Sequence, residues 1–274
     1  MGQEHSHNLK MALPSPDMTK RIVSTGRGGS GKTTFIALVT KYLSSPNRPS
    51  LIIDIDGDQN LADMLGVDLD DEKVRTISDV LFDLQKGKGY EELKSIPMPQ
   101  KIEYLFHSDC IYEAERFDLI SLGVKWTSGC YCLPNDLIKG IIPRMASSYE
   151  YMLIDTPAGL EHLNRGVVTE VDDLFVVLDP SLKSIKNVQR VNRLIKEMAI
   201  KYENFYVVAN HKFDQRLENY IPHIDGASYL GKIDYDVNVE EYNLIGRSLL
   251  ELPQDSPAYL SVARILAKAG YEGI

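Results

Sequence analysis

The chain has 274 residues, 43% of them hydrophobic, with a formal net charge of −9 and three cysteines. This globular composition excludes a disordered or collagen-like chain, and three cysteines exclude a closed disulfide framework and point to a reducing compartment. The acidic balance argues against a general nucleic-acid or anionic-membrane binder, since both are held largely by Lys and Arg.

In chain order, residues 1–19 read as a flexible extension and 20–274 as a single domain. The extension is polar, carries Pro14 and Pro16, and has no apolar h-region of a signal peptide. No stretch approaches the ~20 apolar residues of a spanning helix, so a cytoplasmic location is expected. His5 and His7 stand either as a short metal-binding arm or as part of an inert chain end. Strand-like apolar runs follow at Arg21–Thr25, Ser50–Ile55, Phe117–Leu122, Tyr151–Ile154, Leu174–Leu178, Phe205–Ala209 and Tyr229–Ile233. They do not alternate, which is the pattern of strands covered on both faces. Helical patterns lie between them at Lys32–Ser44, Ile77–Gln85, Asn135–Met145, Ile185–Lys201 and Pro257–Ala269. Alternating strand and helix predicts an α/β fold with a mainly parallel, doubly wound sheet flanked by helices.

The first apolar run opens into Thr25-Gly-Arg-Gly-Gly-Ser-Gly-Lys-Thr-Thr34. Gly26, Gly31, Lys32 and Thr33 match G-x-x-x-x-G-K-[ST], with a strand before and a helix after, the setting in which this motif binds phosphate. Glycines let successive backbone N–H groups turn inward around phosphate oxygens, and a helix N-terminus adds dipole and donors. Gly28, Gly29, Ser30, Gly31, Lys32, Thr33 and Thr34 are therefore the expected nucleotide-binding residues. Lys32 supplies a point charge for the β/γ-phosphates, and the Thr33 hydroxyl is placed for Mg²⁺. A basic residue, Arg27, follows the first glycine. The loop thus resembles the deviant Walker ATPases, the family of the nitrogenase iron protein and the MinD/ParA ATPases, whose signature lysine occupies that position. The resemblance implies an ATP-held homodimer, slow hydrolysis of ATP to ADP and phosphate, and a catalytic reach of Arg27 to the partner's phosphates. Arg keeps the charge of Lys and adds a bidentate fork.

Asp54, Asp56 and Asp58 leave the second apolar run together, at the strand end that faces the ligand crevice of parallel sheets. The segment is similar to the family's switch I, which implies that Asp56 orients the attacking water or sits in the outer shell of Mg²⁺. Gly57 stands where the family has Pro. Asp155-Thr-Pro-Ala-Gly159 resembles Walker B running into switch II, so Asp155 is expected to hold Mg²⁺ through water and the Gly159 N–H to sense the γ-phosphate. These parts are sufficient for phosphoryl transfer, which needs mainly positioning and charge neutralisation. Asn210, ending the run Phe205–Ala209, resembles the family's base-reading Asn, whose amide offers both a donor and an acceptor.

Cys130 and Cys132 lie in C-x-C spacing between Gly129 and Pro134. In extended backbone their Cα atoms stand about 6.6–6.8 Å apart on one side, which suits two ligands on one metal ion. A closed tetrahedral site takes four ligands, and a two-fold dimer would supply the other pair, because an isologous interface meets itself. Packing cysteines and a redox pair are the other readings of this spacing. Cys110 reads as a packing residue. Gly129–Pro134 together with Asp155–Gly166, including Glu161 and His162, looks like the nickel-insertion ATPases that mature carbon monoxide dehydrogenase. That resemblance implies nickel, or zinc in its place, on the two C-x-C pairs, and carbon monoxide dehydrogenase or acetyl-CoA synthase as client. Pro157 departs from it and is closer to the partitioning ATPases. Glu161 and His162 read either as switch contacts or as a helix-start ion pair.

Two other classes compete. A positioning ATPase of the MinD/ParA sort needs a basic amphipathic tail or a basic surface. The end, Ser261–Ile274, carries only Arg264 and Lys268 as cations, whereas Lys183, Lys186, Arg190, Arg193 and Lys196 cluster along one helix and read as a solvated face. An iron–sulfur cluster carrier places C-x-x-C near the C-terminus, which this sequence does not have. The expectation is therefore no nucleic acid and no membrane.

Overall fold

The computed structural model describes residues 19–87, 90–123, 140–158, 170–197 and 201–274. Among the described residues, eight strands form one sheet: β1 (Lys20–Gly26), β2 (Ser50–Asp54), β3 (Ile111–Glu113), β4 (Phe117–Ser121), β5 (Tyr151–Asp155), β6 (Glu170–Leu178), β7 (Lys201–Ala209) and β8 (Ser228–Lys232). Their order is β3-β4-β2-β5-β1-β6-β7-β8. Every pairing is parallel except β3 with β4 at the edge. The helices are α1 (Lys32–Leu43), α2 (Asn60–Leu65), α3 (Ile77–Gln85), α4 (Met98–Asp109), α5 (Leu182–Glu197), α6 (Gln215–Glu218), α7 (Val237–Ile245) and α8 (Pro257–Lys268), with a further helical stretch over 140–146. This is the doubly wound α/β architecture expected from the alternation of elements.

The non-alternating runs are explained by two cores. Along β2, Leu51 and Ile53 pack into one apolar layer and Ile52 into the other; along β5, Met152 and Ile154 oppose Leu153. One layer is closed by α3, α4 and α5, the other by α1 and α8. Helix α1 is buried along almost its whole length, including Phe35, Ile36, Leu38 and Val39 at 0% exposure. Such a helix is held rigidly, which matters because it carries the phosphate loop at its start. Each Leu or Ile so buried contributes about 1.5–3 kcal/mol.

Several boundaries differ from the sequence reading. The helix expected over Ile185–Lys201 begins earlier, at Leu182, and runs to Glu197, while Lys201 already belongs to β7. The expected strands from Leu174 and Phe205 start four residues sooner, at Glu170 and Lys201. The early halves of these strands are polar, so an apolar-run criterion misses them. They are strand nonetheless because their polar groups find partners. The Asp172 carboxylate accepts the Arg21 N–H, and Asp173 accepts Asn204 Nδ2 at 2.7 Å and the Tyr271 hydroxyl. Helix α4 escapes notice because it buries only Ile102, Leu105 and Phe106. Of the helix expected at Asn135–Met145, residues 140–145 are helical and the rest lies outside the described residues.

Asp173 is 2% exposed, and Tyr271 ties the C-terminal segment to it. Tyr271→Phe is expected to cost about 1–3 kcal/mol, since it strips a donor from a buried carboxylate. A thermal melt should show a drop of a few degrees; a melting temperature equal to that of the parent would show the bond to be worth nothing. Burial and Asp173 push the Tyr271 hydroxyl far above its ordinary range. This stabilisation is fully present below about pH 10, the ordinary tyrosine value, and is lost as the pH rises further. The parent should therefore lose stability above pH 10 more steeply than the phenylalanine variant.

Candidate functional site

The site lies where the chain order reverses across the sheet. From β1 the chain crosses to β2 on one side, and from β5 it crosses to β6 on the other. The carboxyl ends flanking such a reversal form the ligand crevice of open α/β sheets. Here a cleft of about 650 Å³ opens, lined by residues 28–34, Asp56, Asp58, Asn60, Met64, Pro157, Ala158, Asn210, His211, Ile233, Val239, Glu240 and Asn243.

Residues 28–34 form its floor, on the loop that begins at Gly26. Gly26 has φ +154°, and a Cβ there would sit 2.5 Å from the Val177 carbonyl oxygen and 2.8 Å from Ser30 Oγ. Gly31 is the N-cap of α1 at φ +94° and offers no side-chain cap. The first N–H groups of α1 therefore lack helix partners and face the cleft as donors for an anion. Lys32 is 5% exposed, its Nζ folded back to 3.4 Å from the Arg27 carbonyl oxygen. The Thr34 hydroxyl is 3.9 Å from Met64 Sδ.

Asp54 and Asp155 are register partners on adjacent strands, both at 0% exposure. Thr33 Oγ1 donates to Asp155 Oδ2 at 2.6 Å, joining residues 122 apart in sequence. Asp155 is pushed up to about 7, mainly by burial and further by the charge of Asp56, against the Thr33 hydrogen bond and the Lys32 charge. Burial and Asp155 likewise hold Asp54 well above the usual carboxylate range. Asp155 Oδ1 has no hydrogen-bond partner. An unsatisfied buried carboxylate oxygen beside a threonine hydroxyl, with Asp56 nearby, is a hard-oxygen donor set that fits Mg²⁺. Asp56 and Asp58 line the cleft as expected, and the Asp58 N–H bonds Asp56 Oδ1 at 3.3 Å.

Asn210 is buried at the cleft wall, but its amide is already engaged. Its Nδ2 donates to the Ser30 carbonyl oxygen at 3.1 Å, and its Oδ1 accepts the Lys212 N–H at 3.0 Å. It fastens the phosphate loop to β7, and the second N–H of Nδ2 and the second lone pair of Oδ1 are left for a base. His211, Ile233, Val239, Glu240 and Asn243 complete that end of the cleft and were not expected from sequence. Helix α7 has local signals, an Asp236 N-cap accepting the Asn238 N–H and a left-handed Gly246 C-cap. These mark the helix but not its return onto the loop 200 residues earlier.

Arg27 does not line the cleft. Its guanidinium bonds Ser181 Oγ at 3.2 Å and pairs with Asp179 at 3.6 Å, at the end of β6. Cys110 is 1% exposed and burial pushes its thiol up to about 12, which suits a packing residue. Cys130, Cys132, Gly159, Glu161, His162, His5 and His7 lie outside the described residues. Among the described residues, no group of three or more His, Cys, Asp or Glu side chains is arranged to hold a metal ion. No described helix is long and apolar enough to cross a membrane.

Comparison with known proteins agrees with this geometry. A family model described as AAA domain matches residues 19–207. An uncharacterized ATP-binding protein of Methanocaldococcus jannaschii is 34% identical over 252 residues, covering 90% of this chain and 97% of that one. The carbon monoxide dehydrogenase accessory protein CooC of Rhodospirillum rubrum is 26% identical over 261 residues, covering 93% and 97%. Among solved structures, the septum site-determining protein MinD complexed with Mg-ADP from Pyrococcus horikoshii OT3 superposes with a TM-score of 0.63 at 20% identity, covering 92% and 96%.

Proposed function

The chain belongs to the AAA domain family and is a P-loop ATPase, and on that premise we propose that it is an ATP-dependent, dimeric metallochaperone. The observation that carries the ATPase half of this reading is the joining of Lys32, Thr33 and Asp155 under one glycine-rich loop. Residues 28–34 hold the phosphates through backbone N–H groups and the Lys32 charge. Thr33, Asp155 and Asp56 would hold Mg²⁺, which supplies neutralisation of phosphate charge when bound. Asp56, exposed to the cleft, orients the attacking water. Asn210 and the wall formed by α7 hold the base end.

The chaperone half is supported by the Cys130-Tyr-Cys132 spacing in the sequence and by the similarity to the carbon monoxide dehydrogenase accessory protein. In this reading two chains meet with ATP between them. Arg27 leaves Asp179 for the partner's phosphates, and four thiolates take one nickel or zinc ion as cargo for a carbon monoxide dehydrogenase or acetyl-CoA synthase client, in the cytoplasm. Sedimentation of the protein with Mg²⁺ and AMPPNP, followed by metal analysis of the heavier species, tests it. The expected result is a dimer carrying one metal ion, with the metal lost in the Cys130→Ser, Cys132→Ser double variant and the dimer retained. A monomer, or unchanged metal content in the double variant, would sink the reading.

The positioning-ATPase reading is favoured by the exposure of Lys183, Lys186, Arg190, Arg193 and Lys196 along α5 and by the similarity to septum site-determining MinD proteins. The same metal analysis separates the two, because a positioning ATPase has no use for the thiolates.

A further inference from the structure

We propose that Asp54 is a positioning residue of the ATPase reaction, fixing the start of the loop that carries Asp56, Asp58 and Asn60 into the cleft. The inference rests on the reading of Asp56 as the water-orienting residue.

Asp54 ends β2 and is 0% exposed, so its carboxylate serves the interior and not the solvent. Its Oδ1 accepts the Asp56 N–H at 2.9 Å, gripping the start of the loop. The far end of the loop has no such grip, since the N-cap of α2, Gln59, makes no side-chain cap hydrogen bond. Gln59 also sits at φ +55°, a left-handed conformation that costs a non-glycine residue about 1 kcal/mol or more. Such a conformation persists only where the surroundings over-determine it. The strain lies inside the loop whose start Asp54 holds. Three cleft-lining residues, Asp56, Asp58 and Asn60, lie in or at the edge of that loop. Gly57 adds no rigidity there, so the fixed point must come from outside the loop. Asp54 Oδ2 has no hydrogen-bond partner. The carboxamide of Asn therefore suits the same place, with its oxygen on the Asp56 amide.

A loop displaced by about 1 Å at a positioning group costs on the order of 10²-fold in rate, while the phosphate-binding backbone of residues 28–34 is untouched. The experiment compares Asp54→Asn, Asp54→Val and Asp56→Ala in the full chain. Steady-state ATP hydrolysis and AMPPNP affinity by calorimetry are the two readouts. Asp54→Val, of similar shape but with no acceptor, is expected to lower kcat 10- to 100-fold with nucleotide affinity within about threefold of the parent. Asp54→Asn, keeping the acceptor, should restore kcat to within about fivefold. Should the valine protein melt below the assay temperature, Asp54→Ser takes its place, its hydroxyl being a weaker acceptor for the Asp56 amide, with a loss in the same direction expected. Parental kcat in Asp54→Val or Asp54→Ser, with Asp56→Ala inactive, overturns the positioning role and leaves the reading of Asp56 standing. Loss of affinity in step with kcat overturns it as well, since that marks general damage. Full turnover in Asp56→Ala removes both.

Discussion

Lys32→Met is expected to reduce ATP turnover by 10²- to 10³-fold without lowering the melting temperature. Lys32 is 5% exposed; among the described residues its ammonium's hydrogen bond is to the Arg27 carbonyl oxygen, at 3.4 Å, and its charge acts on Asp155. A nearly buried cation with one long hydrogen bond does little for the fold, because desolvation opposes what the contact returns. Methionine has similar length and no charge, so it fills the same channel under the loop. Removing the cation removes the charge placed to meet the phosphates as they separate, and loss of one such preorganised electrostatic group costs on the order of 10²–10³ in rate. Turnover and thermal melting measured on the same preparation check this. A variant that hydrolyses ATP at the parental rate would falsify the assignment of Lys32. One that melts markedly lower would show that the ammonium is structural.

Gly26→Ala should abolish nucleotide binding and lower stability together, the opposite signature. Its Cβ would lie 2.5 Å from the Val177 carbonyl oxygen, a backbone atom of the neighbouring strand β6 that has no rotamer to yield. Its φ of +154° is a further penalty for any residue with a side chain. The strand or the loop must move, and residues 28–34 are spaced to converge on one anion. AMPPNP calorimetry should show affinity weakened by two orders of magnitude or more, and the melt a loss of about 1–3 kcal/mol. Retained affinity would mean that the loop tolerates displacement, and the cradle reading would fall with it.

The two variants draw on different kinds of information. That Gly26 and Lys32 belong to a phosphate loop is legible from eight contiguous residues, because the motif is local: a strand, a turn that needs glycine, and a helix start. The parallel sheet was legible for a similar reason, since strands covered on both faces leave continuous apolar runs. Legibility failed where polar residues are strand-borne, as at Asp172, Asp173 and Lys201–Asn204. There remote partners satisfy Asp172, Asp173, Glu203 and Asn204, and local hydropathy gives no hint of them. It also failed for α7, whose caps at Asp236 and Gly246 are visible but whose docking beside residues 28–34 is not. The amide of Asn210, expected to read a base, also spends one N–H and one lone pair on the Ser30 and Lys212 backbone. Arg27, expected at the phosphates of a partner subunit, pairs within the single chain with Asp179.

By itself the sequence determined the chemistry available: a glycine-rich anion cradle, a lysine, strand-end carboxylates, and a cysteine pair at a metal-ligating spacing. Spacing along a chain constrains what neighbours can do, and each of these is a matter of near neighbours. Only the tertiary structure decided which of those groups meet. Parallel strands are joined by crossovers, so Thr33 reaches Asp155 across 122 residues and Asp54 stands level with Asp155 on the next strand. It also decided that Asp54, one of three similar aspartates in the sequence, turns inward to hold the loop while Asp56 and Asp58 turn out to the cleft. Strand pairing and burial set that division, and neither is written in the spacing of the residues concerned.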